Sequence, residues 1–187
     1  MLSIIQESAS LEIPDKNNPP EIQHISFLPD QRPSRILLTI EENPATSATV
    51  TWRSGTNLTN AKAEITPADP SPYFNDYEID FEAVSTVLKT RHGEVMYHKV
   101  QFTHLLPATN YLYRVVNGDY ISEWFQFKTA HENEEPFRFI YLGDAQNKVF
   151  SHVSRVVRAA YAQAPDAAFV LHTGDLVNHA DNDYEWE

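Results

Sequence analysis

The sequence predicts a multidomain chain: an all-β sandwich followed by a βαβ piece of an α/β sheet. Three observations carry that expectation. Between Glu21 and Ala130, about seven short β-rich runs are separated by turn residues, the pattern of a two-sheet sandwich. From Phe137 to Asn178, two apolar runs flank a stretch with helical spacing. The first run, Phe137 to Leu142, stops at Gly143-Asp144, and the second, Ala167 to Leu171, reaches Gly174-Asp175 after His172-Thr173.

Residues 1–20 end in DKNNPP and read as a flexible leader. The sandwich runs are Ile36–Ile40, Ala48–Trp52, Ala61–Ile65, Ile79–Leu88, Met96–Phe102, Tyr111–Val116 and Trp124–Phe127. ENPATS, SGTN, PADPSP, RHG, LPATN and NGD punctuate them. Trp52 alternates with Val50 on one face and is expected in the core rather than at a recognition surface. Leu106 to Tyr111 leads into a strand whose first tyrosine is placed to bond back across the loop, a tyrosine corner. The acidic stretch His131–Pro136 is expected to be a linker, with a domain boundary at about residue 132.

In the second part, Val149, Val153, Val156, Val157, Ala160, Tyr161 and Ala164 recur at three- and four-residue intervals. Ala164-Pro165 closes that helix, since proline disfavours helix in the residue before it. Strand, helix and strand in about 30 residues predict parallel strands with a right-handed crossover. Adjacent carboxyl ends would then lie about 4.8 Å apart, with Asp144 and Asp175 just past them, where open α/β sheets hold ligands. Two carboxylates that close repel unless a cation lies between them, and one carboxylate can bridge ions about 3.5–4 Å apart. A lone Gly-Asp merely ends a strand; two copies on consecutive parallel strands point to a metal site.

Composition sets bounds. Lys and Arg number 14 against 26 Asp and Glu, a net charge of −12, which argues against nucleic acid and anionic membranes as partners. No cysteine is present, so disulfides and thiolate metal sites are excluded. No apolar run is long enough to span a bilayer as a helix, and no signal peptide is visible.

The segments SRILLTIEENPATSATVTWRSG, VQFTHLLPATNYLYRVV, EWFQFKTA, FRFIYLGDAQ and LHTGDLVN, in that order, resemble the purple acid phosphatases and their bacterial calcineurin-like metallophosphoesterase relatives. The resemblance covers nearly the whole chain from Glu21. It implies a fibronectin-III-like N-terminal domain over 21–132, then the N-terminal portion of a metallophosphoesterase domain over 133–187. It also implies hydrolysis of small phosphate esters by a hydroxide generated at two metal ions, iron, manganese or zinc, and a secreted or periplasmic location.

Residue by residue, the resemblance makes Asp144 a ligand of one metal and Asp175 the ligand that bridges both. Asn178 stands where the purple enzymes carry an iron-bound tyrosine; its amide oxygen can ligate a metal but cannot give the colour. Gln146 stands where the first motif has glycine or histidine, so further ligation is not carried over to it. The family's later Gly-Asn-His and Gly-His-x-His motifs do not occur, and the end of the chain reads as the start of a helix cut short. The chain is therefore expected to be the front part of a larger protein and inactive by itself. Its uncovered sheet faces must pack on the sandwich, pair with another copy, or remain poorly ordered.

There are eight histidines. His24, His92, His98 and His104 read as surface or structural residues, and His152 as facing solvent or the sheet end. His172 is expected to fix its loop by hydrogen bonding, and His179 is the candidate for touching substrate phosphate or a metal-bound water. Asp181, Asp183, Glu185 and Glu187 read as an exposed acidic helix face. Two other functions compete. One is a non-catalytic binding module with an inert phosphoesterase remnant. The other is a phosphate site at the crossover helix N-terminus, for which LGDAQN lacks the glycine density.

Overall fold

Val50 and Trp52 are fully buried at the centre of the molecule, on the strand that organises it. The computed structural model describes residues 29–57 and 60–186; the expected leader, His24 and Glu187 lie outside the described residues. The strands are β1 (Ser34–Ile40), β2 (Ala48–Ser54), β3 (Ala61–Pro67), β4 (Ile79–Glu82), β5 (Val84–Thr90), β6 (Gly93–Phe102), β7 (Asn110–Asn117), β8 (Tyr120–Ile121) and β9 (Phe125–Lys128). One antiparallel sheet has the order β1-β2-β6-β5. The facing sheet runs β4-β3-β7, with β8 and β9 both pairing with β7. In immunoglobulin lettering these are an A-B-E-D sheet and a C-F-G sheet with one added edge strand, a β-sandwich.

The apolar alternation of the sequence makes the core. Ala48, Val50 and Trp52 of β2 and Val100 and Phe102 of β6 meet Ala63 and Ile65 of β3 and Tyr113 and Val115 of β7. Phe81, Phe125 and Phe127 close the cluster from the facing sheet. Trp52 donates its indole N–H to Asn117 Oδ1 at 2.8 Å, so the largest core residue leaves no buried donor unpaired. The tyrosine corner is present: the Leu106 amide donates to the Tyr111 hydroxyl at 2.9 Å.

Ile79–Leu88 is not one strand, contrary to the sequence expectation. Residues 79–82 pair with β3 and residues 84–90 with β6, so the chain changes sheets at Ala83. Such crossings form the corners of sandwiches. They leave little trace in sequence, because both halves are β-formers.

His98 is a core residue. It stacks on Trp52 with ring centroids 5.2 Å apart, and both ring nitrogens lie 2.7 Å from a serine hydroxyl, Ser54 at Nε2 and Ser85 at Nδ1. Ser54 donates its own proton to Gly55 O, so Nε2 carries the ring proton and Nδ1 accepts from Ser85. Burial pushes the imidazole down to about 4.

After the sandwich come β10 (Ile140–Leu142), a π-helical turn (Val149–Val153) running into α1 (Ser154–Gln163), and β11 (Val170–His172). β10 and β11 are parallel, with Ile140 opposite Val170 and Leu142 opposite His172. The expected apolar runs are longer than these strands, but Ala168 N–H to Arg138 O and Ile140 N–H to Phe169 O continue the ladder backwards. The helix stops at Ala164, as the following proline requires. Phe139 stacks on Phe169, and Phe137 packs against both rings at a tilt. Even so, Phe137 and Tyr141 are both 65% exposed and Tyr161 on the helix is 63% exposed, so these apolar faces are not buried against the sandwich.

Candidate metal centre

The parallel register fixes where the two Gly-Asp pairs fall. Leu142 and His172 are partners, so the next residues of both strands leave the sheet together. Thr173 donates its amide to Leu142 O at 2.9 Å, and Asp144 donates its amide to Gly174 O at 3.2 Å. The two turns are thus laced to each other through their backbones, and the predicted pair of aspartates is brought to one end of one strand pair.

Backbone conformation at these turns is specific. Asp144 (φ 57°) and Asp175 (φ 53°) both occupy the left-handed region, which aspartate tolerates better than most residues. Gly174, at φ 107°, lies where a side chain is strained. At Gly143 the constraint is space, since a Cβ there would come within 2.7 Å of Thr173 Oγ1. One glycine serves conformation and the other close approach, and both keep the aspartates past the strand ends.

Polar contacts orient the site. Gln146 Nε2 donates to Asp144 Oδ1 at 3.0 Å, so Gln146 steadies the first aspartate. Asn178 Nδ2 donates to Gln146 O at 3.2 Å and lies 3.4 Å from Asn147 Oδ1, which ties the second loop to the first. With its NH₂ so used, Asn178 has its carbonyl oxygen as the atom to offer a cation. His179 is held by Glu185: its amide donates to Oε2 and its ring Nδ1 lies against Oε1, both at 2.8 Å. Those contacts, the His179 amide first, then its ring and Asn182, hold the Glu185 carboxyl down at about 2.

Two expectations need correction. His172 does not fix its loop by hydrogen bonding; both ring nitrogens are buried and neither has a partner among the described residues. Asp181 and Glu185 do not lie on a free helix face. A short 3₁₀ turn covers Asp183–Trp186, and Asp181 and Glu185 are engaged by Arg91 and His179. Arg91 and His92 were not legible as neighbours of this region, because they lie 90 residues earlier in the chain.

As a donor set, two carboxylates and an amide oxygen suit a hard, oxygen-liganded cation. Among the described residues, however, no group of three or more His, Cys, Asp or Glu comes together to hold a metal ion. The set fits part of a metal shell and does not complete one. Surface hollows of about 370 and 520 Å³ lie on the sandwich, lined by residues such as Tyr73 and Phe74 or Lys62 and Asp80, away from both loops.

No curated protein sequence matches the chain. Among solved structures, the purple acid phosphatase PPD1 from yellow lupin (Lupinus luteus) seeds superposes with a TM-score of 0.62 at 17% identity, over 78% of this chain and 30% of that one. A structure of PhoD superposes with a TM-score of 0.53 at 15% identity, over 83% of this chain and 29% of that one. At such identities the likeness is one of fold, and the chain spans under a third of the length of either relative. Residues 33–129, just over half of the chain, match the family model described as "Purple acid Phosphatase, N-terminal domain". The chain belongs to the family of purple acid phosphatase N-terminal domains.

Proposed function

We propose that this chain contributes the sandwich and the first two metal-binding loops of a metal-dependent phosphoesterase acting on small phosphate esters. The division at residue 132 would then separate the N-terminal domain from the opening βαβ unit of a metallophosphoesterase domain. The observation that carries the reading is the lacing of the two Gly-Asp turns, Asp144 N–H to Gly174 O, at the carboxyl ends of paired parallel strands.

Asp144, Asp175 and the amide oxygen of Asn178 would hold the ions, with Gln146 orienting Asp144. When bound, two cations would supply positive charge to the phosphate and to the attacking water. The chain's own contribution would be position: left-handed turns, glycine clearance and cross-loop hydrogen bonds would hold these exposed oxygen donors at the same strand ends. His179 is restrained beside Asn178 and is the residue nearest in sequence to serve the substrate phosphate. Harder divalent cations favour about six ligands. Residues 1–187 alone are therefore expected to bind divalent metal weakly and to turn over no phosphate ester.

The test is a p-nitrophenyl phosphate assay, with metal analysis, on a protein carrying this chain together with the remaining ligands. The reading expects activity that depends on added metal and collapses in Asp175→Asn. Metal-independent activity, or an Asp175→Asn variant with unchanged metal content and turnover, would contradict it.

A further inference from the structure

The sandwich reaches the loop that follows the second Gly-Asp turn. β5 and β6 are joined by a two-residue turn, Arg91-His92, closed by the Thr90–Gly93 pair. It is stiffened by Thr90 Oγ1, which donates to Gly93 O at 2.8 Å and accepts the His92 amide at 3.2 Å. Both turn residues point their polar ends at the same partner segment. Arg91 places Nη2 at 2.9 Å and Nε at 3.2 Å from Asp181 Oδ2, and its amide donates to Asp181 O at 3.3 Å. His92 Nε2 lies 3.1 Å from Asn182 Oδ1.

The connection does not stop there. Asn182 Nδ2 donates to Glu185 Oε1 at 3.0 Å, and Glu185 holds His179 through two contacts. His179 follows Asn178, which is bonded to Gln146 O in the first loop. Gln146 in turn donates to Asp144. A continuous polar path therefore runs from a rigid sandwich turn to an aspartate of the candidate centre.

We propose that the β5–β6 turn is a positioning element of the site: Arg91 and His92 clasp Asp181 and Asn182 and thereby hold the loop that carries Asn178 and His179. The role rests on the metal-site reading above and adds a task for the sandwich within it. The clasp joins two regions 90 residues apart through contacts to one loop, so its loss should loosen that loop while the sheets stay closed.

The test uses the whole chain in hydrogen–deuterium exchange and NMR, with Mn²⁺ alone as the metal probe. Arg91→Ala and Asp181→Ala should each speed exchange of the His179 amide roughly fivefold, the upper range for an exposed ion pair. The double variant should add nothing further, and Arg91→Lys should restore part of the protection. Amides of Val50 and Val100 in the sandwich should not change. The Mn²⁺ concentration that half-broadens the Asn178 side-chain amide should rise in the same variants. Unchanged exchange at His179, or additive effects in the double variant, would overturn the clasp and leave the metal reading standing. Faster exchange with no Mn²⁺ broadening near Asp144 and Asp175 in any variant would instead remove the site, and with it the positioning role.

Discussion

The Asp144 amide donates to the Gly174 carbonyl at 3.2 Å, so the turn that presents one candidate ligand is built on the turn that presents the other. Neither aspartate is placed by its own strand alone. Each stands in a left-handed turn that its neighbour's backbone supports, and the glycines beside them make those turns possible.

Substituting those glycines should therefore disturb both loops. Gly143→Ala drives a Cβ against Thr173 Oγ1, and Gly174→Ala forces a side chain at φ 107°. Each is expected to cost the βαβ unit about 1–3 kcal/mol of local stability. Faster hydrogen exchange at the Thr173 amide, which bonds Leu142 O, is the readout. Unchanged protection there would show that the turns are not held as described.

The tyrosine corner offers a cleaner stability test. Tyr111→Phe keeps the ring packed on Phe127 but removes the acceptor for the Leu106 amide. The loss should be about 1–2 kcal/mol, the cost of leaving a half-buried donor unpaired. Denaturant unfolding followed by fluorescence measures it, and an effect near zero would deny the corner its structural role.

Stability should fall in mild acid because of His98. Its pKa is depressed from 6.5 to about 4 in the folded state. Below pH 6.5 the unfolded chain takes up a proton that the folded chain refuses, so stability is full above 6.5 and is lost as pH falls toward 4. The loss over that window is about 3 kcal/mol. His98→Phe, whatever its effect at neutral pH, should flatten this pH dependence; an unaltered slope would assign the acid lability elsewhere.

Much of this was legible in the sequence, for reasons that can be named. Val50 and Trp52 share the core face of β2 as their spacing predicts, although Thr49, Arg53 and Ser54 of the same strand are buried too. The helix between β10 and β11 was written in its three- and four-residue spacing and its closing proline. The Gly-Asp pairs were legible because one ends an apolar run and the other follows such a run after two residues. His98 could have been found as well, since His98, Val100 and Phe102 share one buried face of β6 at a period of two. The sheet change at Ala83 was hidden, because nothing in a continuous run of β-formers marks a change of partner. So were the Arg91–Asp181 clasp and the unpartnered ring of His172, which depend on contacts that no local pattern encodes.

In a protein carrying the complete ligand set, Asp175→Asn should lower phosphoesterase turnover by orders of magnitude, because the charge assigned to both ions is lost. Asp144→Asn should release one ion more readily than the other. Metal content determined alongside turnover checks both, and equal loss of the two ions in the Asp144 variant would overturn the unequal roles given to the aspartates.

The most direct test of the central claim is a Mn²⁺ titration of this chain monitored by backbone amide NMR. If the paired Gly-Asp turns form part of a metal site, paramagnetic broadening should begin at residues 143–147 and 173–179. It should disappear from both segments when Asp144 and Asp175 are each replaced by asparagine. Broadening that starts instead at the acidic stretch 132–135, or that persists at the two loops in the doubly substituted chain, would contradict the assignment of these aspartates as metal ligands.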